Sequence, residues 1–227
     1  KRITIRKCGV KILSEIRFWW VRHAPVIGNN GCCYGDNDVD CDVSDQDSYK
    51  ILSDILPKKA YVYSSHLTRT IKTMDATIKE GFKYKDYRID KNFGEQNLGE
   101  WQGLKYEKLE ETTKELNVFH PTWLCDPKYT PPGGESYNNL YNRVIIGIEN
   151  IMDTRKEGDI VIFSHGGPIK AAIAHAIRAE PNYTLPFWID NLAVSRFDFI
   201  DGICRVRFIN LLPKIIHNSK NIYERFI

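Results

Sequence analysis

Four side chains of the types that bind or attack anions stand shortly after apolar runs of the sequence. They are Arg22, His23, Arg69 and His165. A neutral imidazole can act as a nucleophile, and guanidinium groups bind anions through paired hydrogen bonds. Each charge-assisted hydrogen bond contributes about 1.5–3 kcal/mol. These residue types therefore predict a site for an anion, and phosphate fits it best.

The elements that must position these side chains are three short apolar runs, residues 16–21, 60–63 and 160–163. Near-continuous apolar character is typical of strands that are buried on both faces of a parallel sheet. Helical segments are expected after the second run, from Ser65, and after the third, from Gly166. Ligands of open α/β sheets bind at the carboxyl ends of the strands, so the four side chains should meet at one edge.

Any one of these histidines, taken alone, is more often a structural residue that has its hydrogen bonds satisfied. Four cationic or titratable groups gathered without a partner are rare, because unpaired charges are costly to bury. The combination therefore favours a functional site.

The same residues lie within an ordered series of short motifs. They are WVRHA (20–24), Tyr34-Gly35 with Asp38, SHLTRT (65–70) with Thr73, Glu95 with LGEWQG (98–103), PGGES (132–136) and IFSHGG (162–167). The series resembles the signature of the histidine phosphatase superfamily, in the branch that includes cofactor-dependent phosphoglycerate mutases and α-ribazole phosphatase. His66 stands where the family usually has Pro, and Gln102 where it has Glu. The longer insertion of the mutases is not visible.

The resemblance implies an α/β fold of the phosphoglycerate mutase type, with three α/β/α layers and a mostly parallel sheet. We expect a single domain over residues 1–227 with a cap insertion at about residues 96–134. The amphipathic stretch 105–116 should form a helix of that cap. The aromatic side chains of the insertion are expected to form mainly its own small core.

The resemblance also assigns roles to single residues. His23 would be the nucleophile, Arg22 and Arg69 would bind the phosphoryl oxygens, and His165 would donate to another oxygen. Glu95 would give a proton to the leaving group and then activate water. On spacing alone, Glu95 reads as a surface carboxylate.

Two further residues, Asn29 and Gly166, are candidates for binding the phosphate. The resemblance places Asn29 near the phosphate, although residues 28–31 also read as an ordinary turn. Gly166 would let the backbone approach the phosphate closely, although a glycine at a helix start needs no such role.

The expected function is metal-independent hydrolysis of a small phosphorylated metabolite through a phosphohistidine, with no cofactor. Two alternatives stay open: phosphotransfer of the mutase type, and a phosphate-ligand binding protein without catalysis. The sequence does not favour a serine hydrolase, because the stretch around Ser136 lacks the final glycine of a nucleophile elbow.

The composition of the 227-residue chain indicates which classes of partner it is not built to bind. A net charge of +3 and a basic segment confined to residues 1–17 do not favour nucleic acid. No apolar run is long enough to cross a membrane, and the six cysteines have no paired CxxC spacing, so a reduced, cytoplasmic protein is expected. The acidic stretch 36–47 imitates a calcium loop but lacks its central glycine and final Glu, so no metal is predicted. The sequence does not decide between a monomer and a homodimer.

Overall fold

The computed structural model describes residues 14–217, and these residues form one six-stranded sheet with helices on both faces. The strands are β1 (Glu15–Arg22), β2 (Ala60–Ser64), β3 (Tyr84–Ile89), β4 (Gly158–Ser164), β5 (Val194–Ile200) and β6 (Ile203–Leu211). Their order is β3-β2-β4-β1-β5-β6. The pairs β2–β3, β2–β4 and β1–β4 are parallel, whereas β5 is antiparallel to both β1 and β6. The sheet is therefore mostly parallel, as expected.

The helices are α1 (Gln46–Ile55), α2 (Thr68–Lys79), α3 (Tyr106–Glu115), α4 (Tyr137–Thr154), α5 (Gly166–Ile177) and α6 (Pro213–His217). Short 3-10 turns lie at Lys91–Phe93, Gly99–Trp101 and Pro181–Thr184. None of the helices within residues 14–217 is both long enough and apolar enough to cross a bilayer.

Alternation along the central strand β1 explains the three layers. Phe18 and Trp20 pack into one cluster with residues of α4 and α5, whereas Trp19 and Val21 pack into a second cluster with residues of α1 and α2. Successive side chains of a strand point to opposite faces, so an all-apolar strand needs cover on both sides. The apolar runs identified in the sequence are thus the central strands β1, β2 and β4.

Residues 98–129 contribute most of a third, smaller cluster beside the sheet. Its buried members are Cys33, Leu98, Trp101, Leu109 and Cys125, and Tyr129 stacks on Trp101 with ring centroids 5.5 Å apart. Burial raises the pKa of the Cys33 thiol to about 11. The amphipathic helix expected at 105–116 is α3, and it buries Leu109 and Thr113.

The start of α2 differs from the expectation, because this helix begins at Thr68 and not at Ser65. The Ser65 hydroxyl accepts a hydrogen bond from the Leu67 N–H and keeps the intervening residues in a turn. The Asp38 carboxylate then accepts from both the N–H and the hydroxyl of Thr68, at 2.7 Å each. The N–H of Thr68 at the start of α2 is therefore capped within the protein, by Asp38.

The carboxylates of the acidic stretch 36–47 find other partners in the protein. Besides Asp38 on Thr68, Asp40 pairs with Lys72 at 2.7 Å, and Asp45 accepts from the Ser48 N–H at the start of α1. The carboxylates of this stretch thus connect the loop before α1 to the first turns of α1 and α2. The basic segment 1–17 lies outside the described residues except for its last four positions.

Candidate active site

His23 follows the last residue of β1, and the parallel neighbour β4 fixes its backbone. Its N–H donates to the Ser164 carbonyl at 3.0 Å, and its carbonyl accepts from the Asn191 side chain at 2.8 Å. The N–H of the next residue, Ala24, donates to the Thr73 hydroxyl on α2 at 2.8 Å. The nucleophile predicted from the sequence is therefore held from the sheet, from α2 and from the loop before β5.

The imidazole of His23 is held in a single tautomer. Its Nδ1 lies 2.6 Å from the Ala24 carbonyl, which can only accept, so Nδ1 carries the proton and Nε2 carries the lone pair. The Nε2 atom is buried and has no hydrogen-bond partner among residues 14–217. Burial lowers the pKa of His23 well below its usual value, and Arg22 and Arg69 lower it further. The ring is thus neutral and presents a free lone pair, as a nucleophile must.

Arg69 lies fully buried at the start of α2 and is fixed by three hydrogen bonds. Its Nη1 donates to the Asn37 carbonyl at 2.7 Å, its Nη2 to the Gly35 carbonyl at 2.8 Å, and its Nε to Nδ1 of His165 at 3.2 Å. Two of its five N–H groups remain for a ligand.

His165 caps α5 and is held between Arg69 and Ser65. Since its Nδ1 accepts from Arg69, its Nε2 carries the proton, and that nitrogen lies 2.9 Å from the Ser65 hydroxyl oxygen. Its ring centroid is 5.1 Å from that of His23. The structure thus brings His165 beside the nucleophile, but directs its N–H to Ser65. The expected donation to a phosphoryl oxygen remains a prediction.

The loop that grips Arg69 depends on Gln102, a residue that departs from the family pattern. Its amide oxygen accepts from the Asp36 N–H at 2.8 Å, and its amide nitrogen donates to the Asn37 side chain at 3.0 Å. A glutamate at this position has no N–H for the second bond. Gly35 has a φ of +47°, and a side chain there would run into the Gln102 amide. Both residues therefore set the position of the Arg69 guanidinium.

Glu95 lies at the N-terminus of α5, on the rim of the same site. Its carboxylate accepts from the Gln96 N–H at 3.0 Å and from the Gly167 N–H at 3.4 Å. A methyl group on Gly167 would clash with this carboxylate, whereas one on Gly166 would come no closer than 3.9 Å to Arg22. Close approach therefore constrains Gly167, which the sequence analysis did not single out, more than Gly166, which it did.

Arg143 on α4 holds the backbone around Glu95. It forms a two-point ion pair with Glu135, at 2.6 and 3.0 Å, and donates to the carbonyls of Asn92, Gly94 and Glu95 at 2.8–2.9 Å. The sequence placed Arg143 in no motif, because its partners lie 8 to 51 positions away.

A cavity of about 550 Å³ opens at this edge of the sheet, and Arg22, Glu95 and Gly166 line it. The Nη1 of Arg22 donates to the Ile189 carbonyl, whereas its Nε is buried without a partner among the described residues. Asn29 is not part of the cavity wall: it closes a turn in which its carbonyl accepts from the Cys32 N–H at 2.8 Å. The turn interpretation of residues 28–31 is therefore the one that the structure supports.

Of the aromatic side chains in the expected cap, Trp123 lines this cavity, whereas Trp101 and Tyr129 belong to the small separate cluster. Besides Arg22, the wall contains a second basic residue, Lys170 on α5, which was not predicted from the sequence. Its ammonium donates to the Leu185 carbonyl at 2.7 Å and lies 4.2 Å from the ring centre of Trp123. Burial lowers the pKa of Lys170 to about 8, against the opposing effect of Glu95.

The fold and this cluster of buried basic groups match a known family. A family model described as the histidine phosphatase superfamily, branch 1, matches residues 18–212. The chain belongs to this superfamily.

Two curated relatives match parts of the chain. A bifunctional protein of Mycobacterium tuberculosis is 32% identical over 127 residues, which are 55% of this chain and 34% of the relative. Phosphoglycerate mutase-like protein 4 of Arabidopsis thaliana is 31% identical over 145 residues, which are 64% of this chain and 61% of the relative. The matches thus cover between a third and about three fifths of these relatives.

Solved structures share the fold at lower sequence identity. A putative α-ribazole-5′-P phosphatase from Escherichia coli superposes with a TM-score of 0.73 at 20% identity, covering 86% of this chain and 96% of its own. A mycobacterial glucosyl-3-phosphoglycerate phosphatase gives 0.73 at 18% identity, covering 87% and 99%. The phosphoglycerate mutase-like architecture expected from the sequence is confirmed.

Proposed function

We propose that this chain is a metal-independent phosphomonoesterase in which His23 is transiently phosphorylated. The observation that carries the proposal is the unpaired Nε2 lone pair of His23, which the Ala24 carbonyl selects and which two arginines surround. A neutral nucleophile next to fixed cations is the arrangement that phosphoryl transfer to histidine requires. A structure of the mycobacterial phosphatase named above is a complex with inorganic phosphate, which supports a phosphate site in this fold.

In the first step, the Nε2 of His23 attacks phosphorus in line with the ester oxygen. The N–P bond forms, the P–O bond to the alcohol breaks, and the departing oxygen takes a proton from the Glu95 carboxyl. Arg22 and the two free N–H groups of Arg69 bind the phosphoryl oxygens and stabilise their charge. Because the Nε2 atom is buried, the side chains around it must move locally to admit the phosphoryl group.

In the second step, water attacks the phosphohistidine. Glu95, now ionised, takes a proton from that water, the N–P bond breaks, and the electron pair returns to the Nε2 of His23. Inorganic phosphate leaves, and the first state of the enzyme is restored. His165 and Arg69 act as one hydrogen-bonded unit in both steps, since the guanidinium donates directly to the imidazole.

The wall of the cavity favours hydrolysis over mutase activity. A phosphoglycerate mutase that depends on 2,3-bisphosphoglycerate must hold a molecule with two phosphates and a carboxylate, which calls for several cations in the site. The basic residues of the wall are Arg22, which serves the phosphoryl group, and Lys170. Most of the remaining wall is apolar, so a single phosphoryl group on an otherwise weakly charged alcohol fits better.

The test is a panel of phosphorylated metabolites assayed with EDTA present, scoring both released phosphate and isomerised product. Radiolabelled substrate should leave an acid-labile label on the wild-type protein and on His175→Gln, a control in α5 outside the site. His23→Ala should lose the label and the turnover. Undiminished turnover in His23→Ala would refute the proposal, and binding of phosphate compounds without any release would favour a binding protein.

A further inference from the structure

The part of the cavity beyond the phosphate-binding groups has an apolar, aromatic-rich wall. Its members come from the region around α3 and from the loop after α5: Tyr106, Trp123, Leu124, Leu185, Phe187 and Trp188. Side chains of the charged residue types are few in the wall of the cavity: they are Arg22, Glu95 and Lys170. Apolar walls with few polar groups bind ligands that are themselves largely apolar.

The cavity is larger than a leaving group as small as a three-carbon polyol needs. At about 550 Å³, it lies in the middle of the range for pockets that enclose drug-sized ligands. The phosphoryl group takes only the end next to Arg22 and Gly166. The alcohol part of the substrate must fill the rest of the cavity, because otherwise the aromatic side chains of its wall remain in contact with water.

Trp123 and Trp188 contribute differently to this wall. Trp123 is fixed on several sides: Lys170 lies over its face, Tyr137 packs edge-on at 5.3 Å, and its N–H donates to Gln96 at 3.3 Å. Trp188 is 75% exposed although it lines the cavity. Its indole N–H donates to the Asp190 carboxylate at 2.8 Å, and among the described residues its ring stacks on no other aromatic ring.

An indole that is held by its N–H and leaves its faces to solvent is an orientated stacking surface. A flat aromatic partner stacked on such a ring contributes more than its buried area alone. The continuity of the Trp188 indole with Arg22 and Glu95 in one wall makes the substrate the partner that fits.

We propose that Trp188 is a specificity-determining residue, and that the substrate is a phosphomonoester whose alcohol carries a flat aromatic group that stacks on this indole. The inference rests on the proposed phosphomonoesterase function and names its substrate class. Trp188 takes no part in the bond-breaking steps.

The test compares kcat/KM for 2-phenylethyl phosphate and ethyl phosphate, which both release primary alkoxides of similar basicity. The wild-type protein should prefer the aromatic ester by about tenfold, the factor that corresponds to about 1.4 kcal/mol. Trp188→Ala should bring the ratio close to one, mainly by raising KM for the aromatic ester. Tyr183→Ala removes another exposed aromatic ring, 68% exposed and outside the cavity wall, and should leave the ratio unchanged.

A third ester, 2-cyclohexylethyl phosphate, separates stacking from simple apolar contact. If Trp188→Ala lowers kcat/KM more for the phenyl ester than for the cyclohexyl ester, the result supports the proposal. An equal fall in kcat/KM for both esters overturns its aromatic part. A wild-type ratio near one, or a ratio that survives in Trp188→Ala, overturns the whole inference while leaving the phosphatase function standing. Absence of His23-dependent phosphate release from all three esters would instead count against the function itself.

Discussion

Replacing Arg143 by lysine should disable proton transfer to the leaving group without touching any group that contacts the phosphoryl. Arg143 makes two hydrogen bonds to the Glu135 carboxylate and three to backbone carbonyls, one of them the carbonyl of Glu95 itself. An ammonium has three N–H donors and no planar fork, so at least two of the five bonds are lost.

The magnitude follows from burial. The side chains of Arg143 and Glu135 are only 22% and 20% exposed. Hydrogen bonds to charged groups contribute about 1.5–3 kcal/mol each when shielded, so losing two should lower the free energy of unfolding by about 3 kcal/mol. The loop that carries Glu95 would also relax, and a displacement of about 1 Å in a catalytic group costs on the order of 100-fold in rate.

The assay uses two substrates that differ in their need for a proton. An alkyl phosphate needs protonation of its leaving oxygen, so kcat/KM for it should fall about 100-fold in Arg143→Lys. For 4-nitrophenyl phosphate, whose leaving phenolate is stable without a proton, kcat/KM should fall about threefold or less, because this constant reports phosphoryl transfer to His23 and not the later attack of water. The ratio of the two rates does not depend on how much of the variant is folded, so it separates misplacement from unfolding.

Arg17→Lys is the matched control. Arg17 forms a similar two-point pair with Asp159 at 2.8 and 2.9 Å, with side chains 33% and 21% exposed, at the opposite end of β1 and β4 from the site. It should lose some stability, because an ammonium cannot form the two-point pair with Asp159, and it should keep the substrate ratio of the wild type. An Arg143→Lys enzyme that loses both activities equally, or neither, would show that this guanidinium does not position Glu95.

Three further outcomes follow from the site. Burial holds the pKa values of His23 and His165 well below 6.5 in the folded protein, so below about pH 6.5 these side chains bind protons in the unfolded chain but not in the folded one. The free energy of unfolding should therefore fall as the pH drops below about 6.5, by about 1.4 kcal/mol per pH unit for each histidine. Urea unfolding across this range checks it, and His23→Asn should lower the slope by about 1.4 kcal/mol per pH unit. Gly167→Ala should push the Glu95 carboxylate away and lower kcat for alkyl phosphates, whereas Gly166→Ala should not cause this clash. Thr73→Val should cost about 1–3 kcal/mol in thermal or urea unfolding, because it leaves the N–H after the nucleophile unpaired, and Thr73→Ser should restore the loss.

The central strands and the placing of His23 and Arg69 at one edge could be predicted, because local apolar pattern and the geometry of parallel sheets determine them. The first residue of α2 could not. Its cap is Asp38, thirty positions earlier, and only the folded chain brings that carboxylate to Thr68.

The same limit explains the other differences. Arg143 looks like an ordinary polar residue of a helix until Glu135 and three carbonyls surround it. The constraint on Gly167 appears only when Glu95 is seen against it. Lys170 lies within an otherwise apolar helix, and the sequence holds no sign that its ammonium reaches Leu185 and Trp123.

The acidic stretch 36–47 lies next to the buried cation Arg69, and this position explains its charge. Burial lowers the pKa of Arg69, and the carboxylates that oppose this effect are Glu95, Asp38 and Asp36, the last two in the loop that contacts the guanidinium. Two carbonyls of that loop accept from Arg69, and its Asp38 caps the helix on which Arg69 stands. A buried arginine needs such compensation before any phosphate arrives, since an unpaired charge in the interior is strongly destabilising. The loop whose sequence resembles a calcium site therefore helps the protein to keep the buried Arg69 guanidinium in place.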